Sequence, residues 1–266
     1  MKQLKSRAQD LRALFEDNIT IAHIAEPLKA VPASQSASEV LTWMQTCDFD
    51  AVGVEKDGVV SGYVERLHLA RPTTGQCGDC QQVFHPAELI AISTPLMQLL
   101  TLMQHTPRLF VLEGNRVSGI VTYGDLQKAP VRMLLFGLVT LLEMNLLRLI
   151  RHYYAQNTWQ AALKSDRVQT AQRLWQESRD RNEATDLLDY LQFCDKRDLV
   201  LHHPELFRQL GLKSKRGGDR LLKQAEQLRN RLAHAQNLVS GSSWGELLSL
   251  TAELESLLRQ CETIEP

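Results

Sequence analysis

The sequence predicts an α+β N-terminal region followed by an all-α helical bundle, two domains that meet near residue 130. Three observations predict it. Before Ala129 the chain carries short β-branched runs separated by glycine-containing turns. After it, Leu, Gln, Arg and Glu recur at helical spacing. The charge balance turns at the same place, with acids in excess before Ala129 and bases in excess after it. A chain of 266 residues is long enough for one large domain or two ordinary ones.

Composition narrows the classes. With 44% hydrophobic and 23% charged residues, this is neither a disordered polyelectrolyte nor a fibrous protein. A net charge of −1 excludes a generally basic nucleic-acid coat and leaves room for a local basic groove. Five cysteines, an odd number, do not make a complete disulfide framework and point to a reducing, cytoplasmic compartment. Residues 1–17 read as a charged, amphipathic N-terminal helix with no apolar leader segment. Met133–Ile150 is the one stretch apolar enough to suggest a membrane span. It carries Glu143, Asn145 and Arg148, and a charge near a bilayer centre costs roughly 2.5–3.5 kcal/mol, so it reads as a buried helix of a soluble protein with no membrane partner.

Residues 18–130 contain a weak internal repeat, with units at about 18–70 and 86–130. In the first unit a helix around Ser38–Met44 precedes a strand at Ala51–Val54, a turn at Lys56-Asp57-Gly58 and a strand at Val59–Val64. In the second, a helix at Leu96–Met103 precedes a strand at Leu109–Leu112, a turn at Glu113-Gly114-Asn115 and a strand at Val117–Thr122. Asp57-Gly58 and Gly114-Asn115 are hairpin dipeptides. Each unit reads as strand–helix–strand–strand–helix, and two such units can bury their sheets against each other.

Val117-Ser118-Gly119-Ile120-Val121-Thr122-Tyr123-Gly124-Asp125-Leu126 resembles the end of a CBS (cystathionine-β-synthase) unit, and the resemblance to a CBS domain pair covers about residues 18–130. It implies an adenine nucleotide (AMP, ADP, ATP or an S-adenosyl compound) as regulatory ligand in the cleft between units, held by Thr122, Asp125 and Ser93. Asp125 at a helix start can accept ribose hydroxyls, and Thr122 can bond a phosphate or sugar oxygen. The first unit departs from the pattern by placing Glu65 and His68 where the second has Thr122 and Asp125. A carboxylate repels phosphate, so at most one working site is expected, around Asp125. The alternative is a pair that only dimerises, with Asp125 a helix-start acid.

Cys77-Gly78-Asp79-Cys80 lies between the units. Two cysteines at this spacing can be half of a zinc site, with His68 and His85 as the nearby candidates to complete it. The alternatives are a redox pair or a surface loop with two thiols.

Residues 131–266 read as helices at Val131–Gln156, Trp159–Glu177, Thr185–Arg197, Arg220–Leu238 and Trp244–Glu262, with breakers at Pro204, Gly211, Gly217-Gly218 and Ser240–Ser243. Ser242 or Ser243 can cap the last helix, with Glu246 in its first turn. Leu228-Arg229-Asn230-Arg231-Leu232-Ala233-His234 resembles the Arg-Asn-x-x-x-His motif of HEPN (higher eukaryotes and prokaryotes nucleotide-binding) domains, and Leu142–Ile150 is similar to their first-helix pattern. The resemblance implies a helical bundle, a homodimer that brings two motifs to one cleft, and in many members metal-independent RNA cleavage by attack of the ribose 2′-OH. His234 can act as acid or base. Arg229 can brace phosphate oxygens. Asn230 can orient either. Asn230 and His234 share a helix face, whereas Arg229 is about 140° round from His234. Glu143 is a further polar candidate that could hold Arg148 or Arg229. A core stripe at Leu221, Ala225, Leu228, Leu232 and Ala235 supports an alternative in which Arg229 and His234 merely flank a core. Lys213, Lys215, Arg216, Arg220 and Lys223 form a basic run that could guide RNA or be a solvated face.

The combined expectation is a cytoplasmic homodimer. A CBS pair would sense an adenine nucleotide, and a HEPN-like bundle would cleave RNA without metal, in a toxin, stress-response or antiphage setting. The rival expectation is a non-catalytic, nucleotide-binding regulatory or dimerisation protein.

Overall fold

The structure, a computed structural model, describes residues 10, 13–14, 18–71, 75–183 and 185–264, which from residue 18 onward form two compact units dividing between Pro130 and Val131. The helix expected over residues 1–17 falls mostly outside the described residues.

The first unit begins with the two-residue strand β1 (Glu26–Pro27). Then follow β2 (Ala30–Pro32), α1 (Ala37–Cys47), β3 (Ala51–Lys56), β4 (Val59–Glu65) and the single turn α2 (Arg66–Leu69). The second half repeats the order with β5 (Leu89–Ala91), α3 (Leu96–Leu102), β6 (Arg108–Glu113), β7 (Arg116–Thr122) and a 3-10 turn at Tyr123–Gln127. Two sheets result, β2-β3-β4 and β1-β7-β6-β5. In each, the first strand of the half runs parallel to the second and the hairpin closes antiparallel. The register repeats as well: Ala51 pairs with Glu65 as Arg108 pairs with Thr122, and both ladders slip once, at Val54/Glu55 and Val111/Leu112. The hairpins close as their dipeptides require, with Asp57 at φ 54°, Gly58 at φ 76° and Gly114 at φ 62°. Val52, Val54 and Val64 bury one sheet face against Val40 and Met44 of α1, and each such side chain contributes about 1.5–3 kcal/mol.

Each half is bound by a strap that precedes the other half in the chain. The segment Thr20–Pro27 belongs to the second sheet: the Ile21 and Ala22 N–H groups donate to the Thr94 and Ile92 carbonyls (3.0 and 3.2 Å), and β1 pairs with β7. The segment Gln76–Gln82 belongs to the first sheet: the Cys77 and Gly78 N–H groups donate to the Gln35 and Ala33 carbonyls (both 2.8 Å), and Gln82 bridges Tyr63. Two glycines admit the straps. A Cβ on Gly62 would stand 2.4 Å from the Gln82 carbonyl oxygen, and one on Gly119 3.0 Å from that of Glu26. The stretch from Ile21, expected at the start of unit one, thus serves the second half.

The second unit is helical: α4 (Ala129–Tyr153), α5 (Trp159–Ala162), α6 (Ser165–Asp180), α7 (Phe193–His202), α8 (Pro204–Gln209), α9 (Lys215–Ala233) and α10 (Trp244–Thr263). Four boundaries differ from those expected. Trp159–Glu177 is not one helix, because Leu163 and Lys164 are extended and divide α5 from α6. Thr185–Arg197 is a 3-10 turn at Leu187–Tyr190 and then a fresh start at α7, where Asp195 accepts the Gln192 N–H at 3.0 Å. Gly217-Gly218 lies inside α9 rather than before it. Ser214 caps the helix by accepting the Gly217 N–H at 3.0 Å, and Gly218 lets Leu201 and Leu212 approach to within 2.9 and 3.1 Å of where a Cβ would sit. At its other end α9 stops at Ala233, with Ala235 at φ 51°, so His234 is the residue that ends the helix and Leu238 lies beyond it. Ser243 caps α10, accepting the Glu246 N–H at 3.2 Å, and Leu247, Leu250, Leu254, Leu257 and Leu258 are buried along it.

Among the described residues, α4 is one helix long and apolar enough to cross a membrane, with a window of mean hydropathy 1.8, 56% of it buried inside the protein. Buried residues recur along its whole length, from Val131 to Ile150.

Candidate functional site

Thr122 ends β7, and Asp125 stands three residues on, in the first turn of the 3-10 segment. Asp125 is 6% exposed. Its Oδ2 accepts the Thr122 backbone N–H at 2.7 Å and the Thr122 hydroxyl at 3.0 Å. Its Oδ1 faces the Lys128 ammonium at 2.8 Å. Lys128 also donates to the Ile24 carbonyl at 2.6 Å and to the Glu26 carboxylate, so one cation ties the acid to the strap. Burial works against the Lys128 charge, but Asp125 and Glu26 outweigh it and hold the ammonium above its usual pKa. The Thr122 backbone N–H and hydroxyl are therefore both taken by Asp125. A carboxylate has about four lone-pair positions, so Asp125 retains capacity for a further donor such as a ribose hydroxyl. Ser93 is exposed in the turn after β5, beyond the Ala91–Leu112 end of the ladder, whereas Thr122 pairs with Arg108 at the opposite end.

The equivalent place in the first half is closed by the chain's own side chains. Glu65 ends β4, and its carboxylate accepts from the Arg108 guanidinium of the second half; each side chain is about one-fifth exposed. His68, at the Asp125-equivalent position, lies 3.2 Å from Glu65, and its Nδ1 meets the Gln82 amide at 2.5 Å. Tyr63, Phe84 and Phe110 pack around the pair, with ring centroids 4.6–5.6 Å apart. Arg108 lies 5.2 Å from the Tyr63 ring centroid, and Tyr63 donates to Glu88 at 3.0 Å. Burial opposes the Arg108 charge, but the Tyr63 hydroxyl and the Glu65 carboxylate hold its pKa above the usual value. Sequence reasoning found Glu65 and His68 but missed Arg108, Lys128 and both straps. The straps had a signal: Ile21-Ala22-His23-Ile24 and Cys77-Gly78-Asp79-Cys80 share one spacing ahead of equivalent strands.

That correspondence corrects the zinc expectation. Cys77 occupies the position that Ile21 fills in the other strap, fully buried in the core with Val31, Val40 and Val52. Cys80 corresponds to Ile24 and packs on the same cluster. Burial first, and then the neighbouring Cys80, push the Cys77 thiol up to about 11, the reverse of what a thiolate ligand needs. His68 is engaged as above, and the Nδ1 of His85 accepts the Ala87 N–H at 3.3 Å. Among the described residues no group of three His, Cys, Asp or Glu side chains could hold a metal ion.

In the helical unit the expected constellation divides. The buried face of α9 is Gly218, Leu222, Ala225 and Leu228, not the Leu221-to-Ala235 stripe: Leu221 and Leu232 are half-buried and Ala235 is exposed. Arg229 continues that buried face, and its Nε is buried with no hydrogen-bond partner among the described residues. Asn230 and His234 are exposed. His234 lies past the last helical residue, so the shared helix face expected for Asn230 and His234 gives way to a backbone bond, His234 N–H to the Asn230 carbonyl at 3.1 Å. Glu143 pairs with the buried Lys196 of α7 at 2.7 Å, holding neither Arg148 nor Arg229. Arg148 donates instead to the Cys261 and Ile264 carbonyls at the end of α10. Lys213, Lys215, Arg216 and Arg220 are exposed, and Lys223 pairs with Asp219 at 2.7 Å.

Comparison with known proteins bears on the first unit. Residues 84–132 match the family model of the CBS domain. No curated protein matches the chain. Among solved structures, an uncharacterized conserved protein from Pyrococcus horikoshii is 21% identical over 40% of this chain and 88% of that one, with a TM-score of 0.36. CBSX2 from Arabidopsis thaliana is 20% identical over 43% of this chain and 95% of that one, with a TM-score of 0.38; CBSX2 has also been solved in complex with AMP. The CBS domains of a transcriptional regulator from Streptococcus pneumoniae are 15% identical over 41% of this chain and 98% of that one, with a TM-score of 0.37. The match to the CBS domain family thus falls on the second half of the repeat, at residues 84–132.

Proposed function

We propose that residues 18–130 act as a CBS pair that binds one adenine nucleoside or nucleotide at Thr122 and Asp125, without the Ser93 expected from the resemblance, which stands at the other end of the ladder, and that the protein is a dimeric regulator. The observation that carries this reading is the buried Asp125 carboxylate, fixed beside Thr122 inside the CBS-matched residues. A carboxylate fixed in this way recognises paired ribose hydroxyls without having to be ordered first. The first half offers no equal, because Glu65 and His68 are bonded to Arg108 and Gln82.

The test is calorimetric titration of the full chain with adenosine and with AMP, wild type beside Asp125→Ala. Saturable binding at one ligand per chain, lost in Asp125→Ala with the fold retained by circular dichroism, is the expected result. Absence of binding by wild type overturns the reading.

A second reading belongs to the helical unit: metal-independent RNA cleavage by Arg229, Asn230 and His234, with the HEPN resemblance as its frame. The observation that favours it is that Asn230 and His234 stand exposed at the end of α9, directly after Arg229. Incubation with RNA in EDTA decides it. Cleavage by wild type and not by His234→Ala supports a nuclease; intact RNA with both leaves the bundle a regulatory or dimerisation unit.

A further inference from the structure

Arg108 and Thr122 are directly paired residues of one antiparallel ladder, so their side chains stand on the same face of the sheet. Arg108 is thus the cation that the fold places beside Thr122. Its guanidinium is not left to a ligand: it bonds Glu65, which arrives from the other half of the repeat. The arrangement is one-sided. The residue equivalent to Arg108 in the first half is Ala51, paired with Glu65, and the residue equivalent to Glu65 in the second is Thr122. The clamp also leaves a donor unused, because the Arg108 Nε is buried with no hydrogen-bond partner among the described residues. The other cation near the site, Lys128, is shared between Asp125 and Glu26. Three carboxylates, Glu65, Asp125 and Glu26, thus meet two cations, Arg108 and Lys128. The Thr122 N–H, a further donor at the site, is bonded to Asp125.

We propose that Glu65 is a specificity-determining residue: by holding Arg108 it acts as a built-in anion and makes the Thr122–Asp125 site select an adenine nucleoside without a phosphate chain, adenosine or an S-adenosyl compound, over AMP and ATP. A phosphorylated ligand reaches Arg108 only by displacing Glu65, and it meets an excess of carboxylate while doing so. A neutral or cationic adenosyl group meets neither penalty. This rests on the nucleoside reading of Thr122 and Asp125.

The test compares affinities of the full chain for adenosine, S-adenosylmethionine, AMP and ATP in wild type, Glu65→Gln and Glu65→Gln/Arg108→Gln. Glu65→Gln keeps the side-chain length and an acceptor for Arg108 while removing the competing charge. In wild type, adenosine and S-adenosylmethionine are expected to bind more tightly than AMP and ATP. In Glu65→Gln, ATP and AMP should gain about tenfold, the worth of one hydrogen bond to a charged group, with adenosine unchanged. The double variant should lose that gain. Should Glu65→Gln fail to fold, the wild-type order alone decides: AMP or ATP binding as tightly as adenosine, or more tightly, overturns the proposal. So does Glu65→Gln with an unchanged ratio of ATP to adenosine affinity, and in that case the nucleoside reading survives. Wild type that binds none of the four overturns the nucleoside reading and this proposal together.

Discussion

Cys77 takes its chemistry from its place, which is the place of Ile21 in the other strap. A thiol with no exposed surface behaves as a small hydrophobe. Burial holds it protonated to about 11, and burial likewise pushes Cys261 up to about 12. A folded-state pKa raised above the unfolded one gives stability that is fully present below the unfolded value, near 9, and lost as pH rises through the folded value. Urea melts are therefore expected to show stability falling between about pH 9 and 12. Cys77→Val should flatten part of that fall, on the order of 1–2 kcal/mol; an unchanged slope would mean that Cys77 is not held protonated. In native protein, iodoacetamide should modify the exposed Cys47 and spare Cys77 and Cys261 until denaturant is added. Asp125 is a buried acid with both oxygens bonded. Asp125→Ala strands the Thr122 N–H, leaves Lys128 to Glu26 and the Ile24 carbonyl, and should lower stability by about 1–3 kcal/mol in the absence of any ligand.

At the scale of elements, the two straps decide which pieces belong together. Each is a 3-10 turn followed by a bridge or short strand, and each stabilises the sheet that it does not precede. Both straps depend on bare glycine backbone. Gly62→Ala would drive a methyl group into the Gln82 carbonyl and should cost about 1–3 kcal/mol or more, with Gly119→Ala milder because its neighbour stands farther off. Chemical denaturation of the two variants checks both the sign and the order. In the helical unit the caps set the boundaries: Ser214 starts α9 ahead of its glycines, and Ser243 starts α10. Ser243→Ala should lose about 1 kcal/mol of stability, read from the same melts.

At the scale of the whole molecule, two compact units with separate cores should unfold as two transitions in a calorimeter. A ligand bound at Thr122 and Asp125 stabilises the unit that holds those residues. At a hundredfold excess over its Kd it should raise that unit's stability by about 2.7 kcal/mol, shifting one transition and leaving the other in place. A shift of both transitions by equal amounts would mean that the two units unfold as one.

The change from α+β to helical texture near residue 130, the internal repeat and its hairpins, the CBS-like ending at Thr122 and Asp125, and the cap of the last helix were legible in the chain. All of these rest on local patterns: alternation, helical spacing, turn dipeptides and capping side chains, which act over a few residues. Long-range packing set the rest: Ile21 belongs to the second half and Cys77 to the core of the first, Glu65 pairs with Arg108, Lys128 links Asp125 to Glu26, and the Arg229 Nε is buried while His234 ends its helix exposed. Each of these depends on which segments meet in space. A swapped strap or an ion pair between halves is set by burial and by the match of distant backbone groups, and no local period in the chain records it. The cysteine pair shows the difference most clearly, for its spacing suggests a metal, while the position it shares with Ile21 and Ile24 makes it part of a hydrophobic core.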